Sequence, residues 1–122
     1  MARVLIADDE EPIRDLIKEV LSAEGHSFLL AENGAQALEL LRTKGADLCI
    51  VDRNMPGMSG IDVVKVIRSS EKFAKVKVLM CTAASVTSEI DEAFNAGADD
   101  YVLKPLNFPA LLAKVAKALA KP

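Results

Sequence analysis

The chain has 122 residues, of which 51% are hydrophobic and 27% are charged. This composition excludes intrinsic disorder and predicts one globular domain over residues 1–122. The net charge of −3, from 18 acidic and 15 basic residues, indicates no direct nucleic-acid binding. The longest apolar runs are too short to cross a bilayer and no signal-peptide pattern is present, so we expect a cytoplasmic protein without membrane insertion.

Five short apolar runs alternate with five helical patterns along the chain. They predict strands at about 3–8, 27–31, 47–52, 76–81 and 99–103, and helices at about 12–24, 34–44, 60–70, 86–96 and 108–120. This alternation predicts an α/β fold in which a parallel sheet, built with right-handed crossovers, carries helices on both faces.

Local signals mark the ends of these helices. Pro12 suits a first helical turn, where its missing N–H costs nothing. Three predicted helices follow a residue suited to an N-cap, namely Asn33, Ser59 and Asn107. Glycines that can adopt a left-handed conformation are expected at the helix C-termini, namely Gly25, Gly45 and Gly97.

The two cysteines, Cys49 and Cys81, both fall inside apolar strands. This position favours buried structural thiols over a metal site, since no CxxC spacing is present. A disulfide between adjacent strands remains a less favoured alternative.

Reactive polar residues follow four of the five predicted strands. Asp8 and Asp9 follow the first, Asp52 ends the third, Thr82 follows the fourth and Lys104 follows the fifth. Because ligands bind beyond the carboxyl ends of strands in an open α/β sheet, these side chains should converge on one site.

The chemistry of this group predicts a cation site beside an anion site. Like charges about 4 Å apart repel by about 4 kcal/mol at an effective dielectric of 20, so Asp8, Asp9 and Asp52 need a proton or a cation. Carboxylate oxygens with room for water favour Mg²⁺ over a soft metal. The Lys104 ammonium is a suitable partner for a phosphoryl oxygen.

These residues resemble the motifs of response-regulator receiver domains of two-component signalling, closest in size to the single-domain chemotaxis-type regulators. The matching positions cover the whole chain: Asp8-Asp9, Asp52 in the Asp-x-x-Met-Pro-x-x-x-Gly pattern that runs to Gly60, Thr82-Ala83 and Lys104-Pro105. The resemblance implies a flavodoxin-like, doubly wound (βα)5 fold with a five-stranded parallel sheet in the order 2-1-3-4-5.

The resemblance also implies roles for individual residues in phosphorylation. Asp52 would be the phospho-acceptor. Asp9 and Asp52 would bind Mg²⁺ (or Mn²⁺) together with the main-chain carbonyl of Asn54, and Asp8 would act mainly through bound water. Lys104 would contact the phosphoryl group.

Further residues would turn phosphorylation into a signal. Thr82 would bond a phosphoryl oxygen, and Tyr101 would swing inward as Thr82 moves. Asn54 and Ala84, two positions beyond the acceptor and two beyond Thr82, would tune the lifetime of the aspartyl phosphate. Tyr101 could equally be an ordinary half-buried strand aromatic.

The implied partners are a histidine kinase or a histidine phosphotransfer protein, and a downstream protein that binds the face formed by helix 4, strand 5 and helix 5. We expect a monomer or a weak phosphorylation-dependent dimer. Helix 4 is acidic at Glu89, Asp91 and Glu92, and helix 5 is rich in alanine. Helix 5 could be a docking surface or a helix packed on the sheet with its alanines outside, and the charges of both helices could be ordinary solvated faces.

Two other functions compete with a receiver. Asp52-x-Asn54 resembles the start of a phosphatase motif of the haloacid-dehalogenase type, but Asn54 replaces the second acid that such enzymes use. An interaction module whose acids only cap helices is the other alternative. We expect no enzymatic turnover beyond self-catalysed phosphorylation and dephosphorylation.

Overall fold

A computed structural model describes residues 2–83 and 87–120. The strands are β1 (Arg3–Ala7), β2 (Ser27–Ala31), β3 (Leu48–Asp52), β4 (Lys77–Thr82) and β5 (Asp100–Leu103). The helices are α1 (Glu11–Ser22), α2 (Gly34–Lys44), α3 (Gly60–Ser69), α4 (Thr87–Ala96) and α5 (Phe108–Ala120). A short 3₁₀ turn at Glu71–Phe73, which the apolar pattern does not predict, connects α3 to β4.

The five strands form one parallel sheet in the order β2-β1-β3-β4-β5. The predicted fold class and strand order are therefore confirmed. The order reverses between β1 and β3, which are hydrogen-bonded neighbours although β2 lies between them in sequence. This reversal opens a crevice at the carboxyl edge, where α/β folds place their ligands.

Two layers of apolar side chains cover the two faces of the sheet. Along β1, Leu5 and Ala7 belong to the layer that packs against α2, α3 and α4, whereas Val4 and Ile6 belong to the layer that packs against α1 and α5. This alternation follows from the two-residue period of a strand. Because both faces are covered, the three central strands β1, β3 and β4 consist mostly of buried apolar residues, whereas the edge strands β2 and β5 are mostly half-buried.

The cysteines confirm this geometry. Cys49 and Cys81 are both buried and free, and burial raises the pKa of each thiol to about 12. Cys49 lies in the layer under α2, α3 and α4, and Cys81 lies in the layer under α1 and α5. A disulfide is therefore not formed, because the two side chains point to opposite faces of the sheet.

The predicted helix caps are confirmed at all three N-termini. The side chains of Asn33 and Asn107 accept hydrogen bonds from backbone N–H groups three residues on, at 2.8 and 2.9 Å. Ser59 forms a reciprocal capping box with Asp62. Pro12 lies in the first turn of α1, as predicted.

The prediction that Gly25 ends helix α1 is wrong. Gly45 and Gly97 directly follow α2 and α4 with φ of +75° and +118°. Gly25 also has a left-handed φ of +80°, but α1 already ends at Ser22 and its C-cap, Ala23, is right-handed. The conformation of Gly25 therefore serves the turn into β2, because the helix unwinds before it reaches the glycine.

Helix α5 packs one narrow stripe on the sheet. Leu111, Val115 and Ala118 are buried, whereas Ala113 and Ala116 are exposed. This arrangement supports the packing interpretation of its sequence. Among the residues the structure describes, no helix is both long and apolar enough to traverse a lipid bilayer.

Candidate functional site

The carboxyl ends of four strands bring the predicted site residues together. Asp8 follows β1, Asp52 ends β3, Thr82 ends β4 and Lys104 follows β5. Backbone hydrogen bonds extend the sheet through this region: the N–H of Lys104 donates to Thr82 O at 2.8 Å, and the N–H of Arg53 donates to Cys81 O at 2.8 Å. The site residues therefore stand on a rigid frame.

Lys104 links two buried carboxylates across the site. Its Nζ lies 3.1 Å from Asp8 Oδ2 and 3.2 Å from Asp52 Oδ1. Asp8 is only 1% exposed and Asp52 only 5% exposed, so the ammonium partly neutralises two charges removed from water. The peptide bond between Lys104 and Pro105 is cis.

The surroundings shift the protonation of Asp52 and Lys104. Burial, followed by the nearby charge of Asp8, raises the pKa of the Asp52 carboxyl, and the Lys104 ammonium opposes this rise only in part. Burial by itself would lower the pKa of Lys104, but the hydrogen bond and charge of Asp8, together with Asp52, raise it above its ordinary value. The site therefore holds excess negative charge and favours an added cation.

A cluster of three carboxylates nearby could hold such a cation. Oxygens of Asp8, Asp9 and Glu10 all lie within 4.8 Å of one another, with Asp8 buried and the other two exposed. Glu10 was not predicted, since it lies in the loop beyond the paired aspartates. A donor set made only of carboxylate oxygens fits Mg²⁺ or Mn²⁺, which prefer hard oxygen ligands.

The loop after Asp52 is held close to the Asp52 carboxylate. The backbone N–H of Asn54 donates to the Asp52 carboxylate, and Met55 is anchored in the core. The N–H of Gly60 donates to Arg53 O at 2.9 Å. A Cβ at Gly60 would lie 2.3 Å from the main-chain oxygen of Asp52, so only glycine allows α3 to begin this close to Asp52.

The two predicted switch residues lie in different environments. Thr82 is 3% exposed at the end of β4. Tyr101 is half-buried, its ring meets Phe94 of α4 edge-on at a centroid distance of 5.9 Å, and Lys114 Nζ of α5 lies 4.1 Å from its centroid. Tyr101 thus connects α4, β5 and α5. Ala84 lies outside the described residues.

Sequence patterns missed two arginines at this site. Arg14 Nη1 donates to the main-chain oxygen of Asp8 at 2.7 Å, and Arg53 forms an ion pair with Glu92 of α4 at 2.7 Å. Neither belongs to a spacing pattern, although the position of Arg53 directly after Asp52 is a signal in hindsight.

Comparison with known proteins assigns this site to a family. A family model for the response regulator receiver domain matches residues 4–116. The chain belongs to the response-regulator receiver domain family. Chemotaxis protein CheY of Pseudomonas aeruginosa is 37% identical to this receiver domain over 116 residues, which cover 94% of each chain.

Other relatives are longer. The DNA-binding response regulator MtrA of Mycolicibacterium smegmatis is 35% identical over 119 residues, which cover 98% of this receiver domain but 51% of MtrA. The chain therefore spans about half the length of that relative.

Solved structures agree with the fold. CheY4 of Vibrio cholerae superposes with a TM-score of 0.91 at 31% identity, covering 98% of this chain and 99% of that one. A putative response regulator of Chloroflexus aurantiacus superposes with a TM-score of 0.94 at 30% identity, covering 98% of each chain.

Membership of the receiver-domain family indicates the general function of the chain. The chain is a phosphoryl-accepting signalling switch of a two-component system. Receiver domains generally act as switches rather than as catalysts of turnover, bind Mg²⁺ at an acidic cluster, and work with histidine kinases and downstream targets. The family match favours this function over the phosphatase and the pure interaction module.

Proposed function

We propose that Asp52 is the phospho-acceptor of this receiver domain. The observation that carries the proposal is the Lys104 ammonium, which lies within 3.2 Å of both Asp8 and Asp52. A phosphohistidine or acyl phosphate would present its phosphorus to the Asp52 carboxylate, which is a weak nucleophile. A bond from an Asp52 oxygen to phosphorus would form as the P–N bond of the phosphohistidine or the P–O bond of the acyl phosphate breaks, and the donor's imidazole or carboxylate would leave. Positioning and charge compensation therefore carry most of the catalysis.

Asp8, Asp9 and Asp52 would hold Mg²⁺ together with the main-chain carbonyl of Asn54. The bound ion would supply positive charge for the phosphoryl oxygens. Lys104 adds a second positive charge on the β5 side. Its ammonium can exchange its contact with Asp52 for a contact with a phosphoryl oxygen. Asp8, held by Lys104 and by the N–H of Glu10 at 2.9 Å, would act mainly through metal-bound water.

Thr82 and Tyr101 would respond to the phosphoryl group on Asp52. A phosphoryl group adds up to about two negative charges, which gives the buried Thr82 hydroxyl and Lys104 stronger partners than the carboxylate offers. The contacts of Tyr101 with Phe94 and Lys114 would carry that change to α4 and α5. Asn54 and Ala84 would tune how long the phosphoryl group lasts.

The output face would be formed by α4, β5 and α5. Three large apolar side chains are exposed there, Phe94 at 42%, Leu103 at 41% and Phe108 at 41%. Such a concentration of apolar surface fits a protein-binding face. We assign it to a downstream protein or to a second copy in a weak phosphorylation-dependent dimer.

The phosphoryl donor would be a histidine kinase or a histidine phosphotransfer protein, and the domain would span residues 1–122. The two free buried thiols fit a reducing compartment such as the cytoplasm.

Labelling with acetyl phosphate tests the acceptor. In the presence of Mg²⁺ the intact mass should rise by one phosphoryl group, and chelation of Mg²⁺ should abolish the rise. Asp52→Asn should not label, whereas Asp15→Asn, at an exposed position on α1, should label normally. Equal labelling of the Asp52 variant, or repeated turnover of a phosphomonoester, would overturn the proposal.

A further inference from the structure

Helix α4 is held at two places by arginines from other elements. At its C-terminal end, Arg68 of α3 donates from Nε to Gly97 O at 2.8 Å and forms an ion pair from Nη2 with Asp99 at 2.8 Å. Asp99 Oδ2 also accepts the backbone N–H of Val78 at 2.7 Å. This end is therefore tied to both α3 and β4.

The middle of α4, residues 89–92, is held by Arg53. Its Nη2 forms an ion pair with Glu92 at 2.7 Å, and its Nη1 donates to Glu89 O at 3.3 Å. Arg53 directly follows Asp52, and its own backbone is fixed on both sides by Cys81 O and the N–H of Gly60. The guanidinium is thus anchored beside the acceptor, and a shift of residues 89–92 would separate it from both partners.

The two attachments differ in strength. Arg68 makes two 2.8 Å bonds, and Asp99 is 28% exposed in its side chain. Arg53 makes one 3.3 Å bond and one 2.7 Å ion pair, and its own side chain is 16% exposed, less than the 23% of Arg68, but its partner Glu92 is 54% exposed. Because solvent screens an exposed carboxylate, and because Asp99 is also fixed by the N–H of Val78, the Arg53 attachment is the one that opens more easily.

We propose that Arg53 is a positioning residue that latches residues 89–92 of α4 in the arrangement seen here, that phosphorylation displaces this arrangement, and that Arg68 holds the far end as the pivot. The inference rests on the proposed function at Asp52. Contacts that exist in only one arrangement bias the equilibrium toward it, so the latch opposes activation until the phosphoryl group outweighs it.

If the Arg53 contacts act as a latch, removing them should tighten the binding of a phosphoryl analogue. The full chain, labelled with ¹⁵N, is titrated with beryllofluoride in excess Mg²⁺, and the apparent Kd is measured from amide shifts. Arg53→Met keeps the aliphatic stem, and Glu92→Ala removes the partner. Each should tighten binding about 2- to 5-fold, the range expected for one partly exposed ion pair.

Two further comparisons separate a latch from a structural contact. The double variant should bind no tighter than Arg53→Met alone, since both changes remove the same interaction. Arg42→Ala removes an exposed ion pair with Glu39 on α2 and should leave the apparent Kd unchanged. In the wild type, amide shifts on binding should be larger at 88–92 than at 97–99.

The outcomes are distinct. A lower melting temperature in Arg53→Met without tighter beryllofluoride binding would overturn the latch, and so would additive effects in the double variant or an equal effect of Arg42→Ala. Failure of the wild type to bind beryllofluoride at all would instead refute the proposed function, and the latch with it.

Discussion

Replacing Asp52 by Asn should stabilise the protein when Mg²⁺ is absent. The oxygens of Asp8 and Asp52 that contact Lys104 lie at most 6.3 Å apart, the sum of 3.1 and 3.2 Å. At an effective dielectric of 20 they repel by at least about 2.6 kcal/mol, whereas Lys104 attracts Asp52 by about 5 kcal/mol. Burial of the carboxylate costs several kcal/mol more.

The raised pKa of Asp52 shows which influence prevails. Burial and repulsion together exceed the attraction to Lys104, so the ionised carboxylate is a net cost to the folded state. We expect Asp52→Asn to raise the free energy of unfolding by about 1 kcal/mol, and the melting temperature by about 4 °C for a chain of this size.

The pH dependence has a defined sign. Because the pKa of Asp52 is higher in the folded than in the unfolded protein, the wild type loses stability as pH rises from about 3.9 through the folded value. Asn does not titrate, so the advantage of the variant should be small at pH 4 and should grow as pH rises through the folded pKa of Asp52.

The assay is thermal unfolding in a chelating buffer from pH 4 to 8, followed by a Mg²⁺ titration. At ten times its Kd, Mg²⁺ should stabilise the wild type by about 1.4 kcal/mol and the variant by less. Asp15→Asn should change neither quantity. A variant that is less stable than the wild type at pH 7 without Mg²⁺, or that gains as much from Mg²⁺, would refute the reasoning.

Other changes probe the rest of the site. Lys104→Gln should cost about 3 kcal/mol without Mg²⁺, because two buried carboxylates lose their cation. The pKa of Lys104 is raised on folding, so its contribution to the free energy of unfolding should be complete below pH about 10.4 and disappear above the folded pKa. Urea unfolding of the wild type and the variant from pH 7 to 11 checks this. A difference in unfolding free energy that stays the same across this range would contradict it. Gly60→Ala should lower the free energy of unfolding in urea by at least about 2 kcal/mol and slow labelling by acetyl phosphate, because the added Cβ would lie 2.3 Å from the main-chain oxygen of Asp52. A variant as stable and as readily labelled as the wild type would contradict this. Cys49 and Cys81, with pKa values raised to about 12, should resist iodoacetamide at pH 8 until the protein unfolds, and mass spectrometry of the native protein would reveal any labelling that contradicts this.

Much of the fold was predictable because it depends on patterns that are local in sequence. Apolar runs of strand length, helical periodicity and cap residues such as Asn33 and Ser59 are set by a few neighbouring residues. The rule that parallel strands end at one edge of a sheet then brings Asp8, Asp52 and Lys104 together, although their contacts were not visible in the sequence.

The features that the sequence predicted wrongly or did not predict depend on where each helix ends and how the chain leaves the sheet. The end of α1 at Ser22, rather than next to Gly25, and the 3₁₀ turn after α3 depend on how each helix meets the sheet. Glu10 joins the acidic cluster only because the chain turns sharply after β1.

The sequence by itself determined the parallel α/β architecture, the family motifs and the edge of the sheet at which they meet. Only the tertiary structure decided which charges compensate one another. Lys104 contacts an aspartate 96 positions earlier in the chain, and Arg53 reaches a glutamate 39 positions later. Such pairs carry no spacing signal, because the folded sheet and not the chain sets the distance between them.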